Sequence, residues 1–281
     1  MSRSSILVST DWLAANLGSN TLRVVDGSWY LPMMNRKPAE EFLAGHIPGA
    51  VHFDIDTVRD TASPLPHMLP SADVFAAAAG AMGLSEEHTI VVYDGAGLFS
   101  APRVRWMFNA YGARDVRILD GGLPQWISEG RPLEQGPAAP APAHFDAHLD
   151  LSVIADLGMV RGALADGTAQ VVDARPADRF RGDAPEPRPG VRAGHMPGSL
   201  NVPFSDLVSG GRLAPDAEIV AAFRRAGVDP SRPIITSCGS GVSAAILWLG
   251  LEIASQAPDA LYDGSWAEWG STDDCAVVTG P

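Results

Sequence analysis

Short apolar runs, each bounded by polar or turn residues, alternate along this chain with longer stretches whose apolar positions recur at helical spacing. Residues 90–93 and 233–237 are runs of the first kind: too short for helices, and mainly apolar as strands buried in a parallel sheet are. Helices are predicted over residues 38–44, 72–82 and 103–111 in the first half, and over 152–165, 216–226 and 241–254 in the second. Ser71 as an N-cap and Pro215 as a first-turn proline mark two of the starts. The alternation indicates an α/β fold, with a mainly parallel sheet and helices on both of its faces. In open sheets of that kind ligands bind beyond the carboxyl ends of the strands.

The pattern is written twice. Val24-Val25-Asp26 returns as Val171-Val172-Asp173, and Gly45-His46-Ile47-Pro48-Gly49-Ala50 as Gly194-His195-Met196-Pro197-Gly198-Ser199. The strand ending at Asp94 returns as one ending at Cys238, and Leu119-Asp120-Gly121-Gly122 before Trp126 returns as Tyr262-Asp263-Gly264-Ser265 before Trp269. The offsets are 147 (26 to 173), 149 (46 to 195), 144 (94 to 238) and 143 (126 to 269), in one order with small drift. Two copies of one domain follow, expected at residues 1–130 and 151–281. The segment between, 131–150, contains Gly136-Pro137-Ala138-Ala139-Pro140-Ala141-Pro142-Ala143, whose proline density excludes helix and ladder and suits an extended spacer. His46 and His195 recur in both copies, so they are expected to fix a turn rather than to do chemistry. Trp126, Trp266 and Trp269 are expected in cores.

Composition narrows the class. With 281 residues, 46% of them hydrophobic and 19% charged, the chain reads as globular and long enough for two cores. A net charge of −13 argues against nucleic acid or an anionic membrane as partner. No apolar run approaches the ~20 residues of a membrane span. The start, MSRSSILVSTDWL, lacks the sustained apolar segment of a secretory signal. Two cysteines, Cys238 and Cys275, make neither a disulfide framework nor a zinc motif, so a reducing cytoplasm is the expected compartment. Cys275 reads either as a passive surface thiol or as one that pairs between molecules on oxidation.

Cys238 carries the candidate chemistry. It ends the run containing Ile234 and Ile235 and opens the loop Cys238-Gly239-Ser240-Gly241-Val242-Ser243 before an apolar helical stretch. A thiol at a strand-to-helix turn meets backbone N–H groups and the positive end of a helix dipole, both of which favour thiolate, the nucleophilic form. Glycines at 239 and 241 let several N–H groups converge on one anion. The competing reading is a buried, inert cysteine. The repeat provides a control: Asp94 holds the same place in the first copy, and a carboxylate cannot do thiolate chemistry, so the first copy is expected to be catalytically degenerate.

On these residues the chain resembles the two-domain rhodanese superfamily of sulfurtransferases, with a degenerate loop first, CGSGVS second, and GHIPGA, GHMPGS and YDGSWAEW alongside. Thiosulfate-preferring members carry basic residues directly after the cysteine, whereas here positions 239–243 are uncharged, which resembles the mercaptopyruvate branch; Ser243 stands where that branch usually has threonine. The resemblance implies a Cys238 persulfide formed from 3-mercaptopyruvate with release of pyruvate, and sulfur passed to a thiol such as thioredoxin or to cyanide. It implies no metal or organic cofactor. Gly239, Gly241, Val242 and Ser243 would cradle the sulfur, and Arg179 and Arg188 would hold the substrate carboxylate and carbonyl, as guanidinium forks do. Read from spacing alone, those arginines instead solvate a proline-rich loop, paired with Asp183 and Glu186. Asp56, His67 and Ser240 would form a relay in which histidine is the base; the alternative is a loop histidine satisfied locally. Three other functions compete. One is thiosulfate:cyanide sulfur transfer, and another is a non-catalytic persulfide carrier. The third, a phosphatase of related fold, needs an arginine six positions after the cysteine, where Ala244 stands.

Overall fold

The computed structural model describes residues 3–254 and 258–281; Met1 and Ser2, which open the first expected domain, lie outside them. The chain divides into two compact units, the first containing residues up to 61 with 69–150 and 210–213, the second 62–68, 151–209 and 214 onward.

In the first unit β1 (Leu7–Val8), β2 (Leu22–Asp26), β3 (Ala50–His52), β4 (Thr89–Tyr93) and β5 (Asp115–Leu119) form an all-parallel sheet in the order β1-β5-β4-β2-β3. The central strand β4 is Thr-Ile-Val-Val-Tyr, and Ile90 to Tyr93 are fully buried, as a β-branched run covered on both faces should be. The crossovers carry α1 (Thr10–Asn16), α2 (Pro38–Ala44), α3 (Ala72–Ala81), α4 (Ala101–Ala110) and α5 (Gly122–Ser128). Ser71 caps α3 as expected, its Oγ accepting from Val74 N at 3.4 Å. Helix α4 begins two residues before the expected 103, because Pro102 fits the first turn, where no N–H is needed.

The second unit repeats the plan. Strands β6 (Ile154–Ala155), β7 (Gln170–Asp173), β8 (Leu200–Asn201), β9 (Ile234–Ser237) and β10 (Ala260–Tyr262) are all parallel, in the order β6-β10-β9-β7-β8, which is the same permutation. Its helices are α6 (Leu157–Asp166), α7 (Ala177–Arg181), α8 (Asp216–Arg225), α9 (Ala244–Ile253) and α10 (Ser265–Trp269). The helix expected from residue 152 starts five residues later. Leu151–Val153 is a single 3-10 turn, Ile154–Ala155 is β6, and Asp156 sets the start by accepting from Met159 N at 2.8 Å.

The segment expected to be a spacer, 131–150, groups with the first unit. Its prolines offer no donors, but several of the other amides bond outward: Gly136 N to Leu43 O at 2.9 Å, Ala143 N to Gly80 O at 2.9 Å, and His148 N to Tyr111 O at 3.1 Å. Phe145 is buried among Phe75 and Phe108. An extended, docked strap results rather than a free linker. The two repeated histidines sit alike, His46 Nδ1 2.7 Å from Phe42 O and His195 Nδ1 2.9 Å from Phe180 O, each ring stacked on that phenylalanine with centroids 3.9 Å apart. Trp126 lies in the first core, and Trp266 and Trp269 in the second.

Candidate active site

Cys238 follows β9, the middle strand of its sheet, and its residue is 2% exposed. Two features bend the loop. Gly241 has φ +79°, the left-handed region that a side chain rarely adopts. Ser265, fully buried at φ +49°, accepts at Oγ from Cys238 N (3.2 Å) and Gly241 N (3.1 Å) and donates to Tyr262 O (2.7 Å). The first turn of α10 takes up the loop carbonyls, Trp266 N donating to Cys238 O and Ala267 N to Gly239 O, both at 2.9 Å. Among the described residues, the amides of Gly239, Ser240, Val242 and Ser243 have no acceptor. Those N–H groups precede the N-terminus of the ten-residue helix α9, so the loop favours an anion.

The first unit demonstrates that preference internally. Asp94, at the end of the matching central strand, is fully buried and accepts four loop amides. Oδ1 takes Ala96 N (2.9 Å), and Oδ2 takes Phe99 N (2.7 Å), Ser100 N (2.9 Å) and Ala101 N (2.9 Å). Where the second unit has Ser265, the first has Gly122 at φ +54°, and a Cβ there would lie 2.5 Å from Asp94 O. The loop of the first unit closes on its own carboxylate and has no room for the serine.

Beside the Cys238 loop runs a chain of alternating charges. Arg175 is buried; its Nε donates to Asp173 Oδ2 (2.9 Å), Nη1 to Glu186 Oε1 (2.8 Å) and Nη2 to Gly194 O (2.9 Å), and it lies 4.2 Å from the Trp266 ring centroid. Glu186 also accepts from Arg179, at Oε1 from Nε (3.3 Å) and at Oε2 from Nη2. A Cβ built on Gly239 would stand 3.3 Å from Arg179 Nη2, so this guanidinium lies directly against the cysteine loop. The pairing expected from spacing is therefore present for Arg179 with Glu186, whereas Asp183 pairs with Arg181 at 2.7 Å, and neither carries Arg179 away from the loop. Arg188 is half-buried two residues beyond Glu186.

Ser240 and Val242 are buried in the loop, and Gly239 and Ser243 are half-buried. His67 groups with the second unit and is buried at φ +59°. Asp56 groups with the first, where its Oδ2 accepts from Trp29 Nε1 at 2.9 Å. Cys275, expected at the surface, is 3% exposed instead, its Sγ accepting from Arg161 Nη2 (3.0 Å) and Nε (3.3 Å). Sequence reasoning missed Ser265 and Arg175, and it named Glu186 only as a partner of the loop arginines, not as the bridge to Arg175. Ser265 had a signal, because it replaces a glycine between the two copies of one motif.

A thiol in an anion-favouring loop on the central strand of one α/β copy, with a carboxylate in its place in the other, defines a tandem-repeat thiol enzyme. The rhodanese-like domain model matches residues 9–129 and 157–272, and the chain belongs to the rhodanese family. It is 44% identical over 271 residues to the 3-mercaptopyruvate sulfurtransferase of Homo sapiens, covering 94% of this chain and 91% of that protein. It is 42% identical over 272 residues to the thiosulfate sulfurtransferase of Cricetulus griseus, covering 94% and 91%. Among solved structures, SseA of Escherichia coli, described as a 3-mercaptopyruvate sulfotransferase, superposes with a TM-score of 0.86 at 41% identity, covering 92% of this chain and 98% of that one.

Proposed function

We propose that this chain moves the sulfur of 3-mercaptopyruvate to a thiol or cyanide acceptor through a persulfide on Cys238, releasing pyruvate. The observation that carries the reading is the Arg179 guanidinium set against an uncharged cysteine loop. A carboxylate held there by Arg179 and Arg188 would bring the substrate thiol over Cys238. The Cys238 thiolate attacks that sulfur, an S–S bond forms, and the C–S bond breaks. Its electron pair passes into the pyruvate enolate, which the two guanidiniums stabilise as charge develops. The substrate's own S–H proton balances the step. On this reading Ser240, His67 and Asp56 relay it, and it ends on the enolate carbon to give pyruvate. The persulfide's outer sulfur rests on the amides of Gly239, Ser240, Val242 and Ser243. An acceptor thiolate, of which a thioredoxin is the expected example, then attacks that sulfur and releases the Cys238 thiolate. The first unit, with Asp94 in the loop, is the non-catalytic copy. Both cysteines are free thiols, which supports a reducing compartment such as the cytoplasm. Among the described residues no helix is long and apolar enough to cross a membrane.

Thiosulfate as the main donor is a second reading, favoured by the likeness to the hamster thiosulfate sulfurtransferase. Two measurements decide between them. Intact mass after incubation with 3-mercaptopyruvate is expected to rise by one sulfur atom, and Cys238→Ser is expected to abolish both the gain and turnover. Turnover surviving in Cys238→Ser would remove Cys238 as nucleophile, and a higher kcat/KM for thiosulfate than for mercaptopyruvate would overturn the donor assignment.

A further inference from the structure

Arg179 meets the cysteine loop while bound to a carboxylate, and the manner of that binding determines what it can still do. A guanidinium carries five N–H donors in a planar fork. Glu186 takes the side edge, Nε and one hydrogen of Nη2, which leaves both hydrogens of Nη1 and the second of Nη2 as a complete end-on edge. That edge suffices for one bidentate carboxylate. Glu186 itself cannot swing aside freely, because its Oε1 is shared with the buried Arg175, whose other partners are Asp173 and a backbone carbonyl. Its side chain is 4% exposed, so water screens it little.

The charges close to zero. Asp173 and Glu186 oppose Arg175 and Arg179, two negative against two positive, and the loop from Gly239 to Ser243 adds none. Arg179 is thus offered as a shaped hydrogen-bond fork rather than as surplus positive charge. A donor with a single carboxylate needs the fork. A compact dianion such as thiosulfate needs more net charge, because Arg188, assigned above to the carboxylate, matches one negative charge and the second meets no further cation in this group.

We propose that Glu186 sets donor selectivity: it aims the free edge of Arg179 at the Cys238 loop and, by cancelling that charge, admits a monoanionic 2-oxo acid thiol in preference to a dianionic sulfane donor. This rests on the sulfurtransferase reading above, and the role is one of positioning and charge, since Glu186 acts through Arg179.

The test measures kcat/KM for 3-mercaptopyruvate and for thiosulfate, with cyanide as the common acceptor, in the wild type, Glu186→Gln, Glu186→Asp and Asp183→Asn. Circular dichroism and a melting curve accompany each variant. Glu186→Gln keeps an acceptor for Arg175 but removes the charge, and is expected to shift the donor ratio toward thiosulfate by about three- to tenfold, chiefly through a lower KM for thiosulfate. Asp183→Asn removes a charge from the same segment without touching Arg179, and should leave the ratio within about twofold. A folded Glu186→Gln with an unmoved ratio, or an equal shift in Asp183→Asn, overturns the proposal. Should Glu186→Gln not fold, Glu186→Asp carries the test. It keeps the charge and shortens the reach, so the mercaptopyruvate KM should rise while the thiosulfate KM does not fall, and a fall in the thiosulfate KM would be fatal. Absence of mercaptopyruvate turnover in the wild type would sink the functional reading and this inference together; turnover with an unmoved ratio sinks the inference alone.

Discussion

Ser265 occupies a backbone conformation that disfavours any side chain, and does so with no exposure to solvent. Left-handed φ costs a non-glycine residue roughly 1–2 kcal/mol. Against this stand three hydrogen bonds through one hydroxyl, each worth about 1 kcal/mol net and more if a buried partner is left unsatisfied. Two substitutions separate the terms. Ser265→Ala keeps the strain and orphans the amides of Cys238 and Gly241, so unfolding in urea should show a loss of about 2–3 kcal/mol. Ser265→Gly orphans the same amides but relieves the strain, and should recover about 1 kcal/mol of that loss. Neither should recover the wild-type rate at which iodoacetamide alkylates Cys238, because the loop amides are untethered in both. Equal stability of the alanine and glycine variants would show that the strain term is absent, and wild-type alkylation rates would remove Ser265 from the loop's support.

At the scale of elements, one strand-to-helix junction is built twice and completed in two ways. In the first unit the Asp94 carboxylate ties the loop after β4 to the start of α4, taking the amides of Ser100 and Ala101 from within the helix's own first turn. Asp94→Ala would leave four donors without an acceptor, those of Ser100 and Ala101 buried and those of Ala96 and Phe99 partly so, and a loss of about 3 kcal/mol is expected in equilibrium unfolding. Asp94→Asn keeps one oxygen and the shape, and should lose less; a neutral outcome for both would mean the loop is held by its glycines and not by the carboxylate. This junction also shows how far the sequence could be read. The pairing of Asp94 with Cys238 was legible because each terminates an apolar run at matched distance from Asp26 or Asp173, and strand order then follows from repetition. Ser265 was half legible, as a difference between two copies. The Glu186 bridge was legible only on the side of Arg179, whose pairing spacing offered; its link to Arg175, eleven positions away across a proline-rich loop, is decided only by folding. The docking of 131–150 was equally hidden: proline density excludes regular structure there, but it does not say whether the remaining amides find water or protein.

Across the whole molecule, the carboxylates that ion pairs and amides hold in their charged form set the response to acid. Arg36 holds Glu41 below its ordinary range, the Asp146 amide does so for Glu86, Ser231 for Asp229 and Arg161 for Asp274. Burial pushes Asp115 up, but Arg117 and Thr89 outweigh it and the net shift is downward. Hydrogen bonds from Thr10, Gln125 and Arg131 bring Glu129 down to about 2. Asp26 opposes them, raised by burial despite its bonds to Ser28. For each lowered group the unfolded chain binds its proton first, so its stabilising contribution is present above the unfolded value and is lost as pH falls through the folded one. For Asp26 the sign reverses: its contribution is complete at low pH and declines as pH rises through its folded value. The lowered groups outnumber it, so the melting temperature should hold near neutrality, begin to fall below about pH 4.5, and continue falling toward pH 2. Most of these groups face solvent, so about 0.5 M salt should flatten the slope without abolishing it. Asp26→Asn gives the complementary measurement. Against the wild type it should gain stability as pH rises and lose that advantage in acid, because the amide never has to ionise in the interior. A wild-type melting temperature that rose on acidification would mean that relief of Asp26 outweighs every paired carboxylate, and the assignment of acid sensitivity to those pairs would fail.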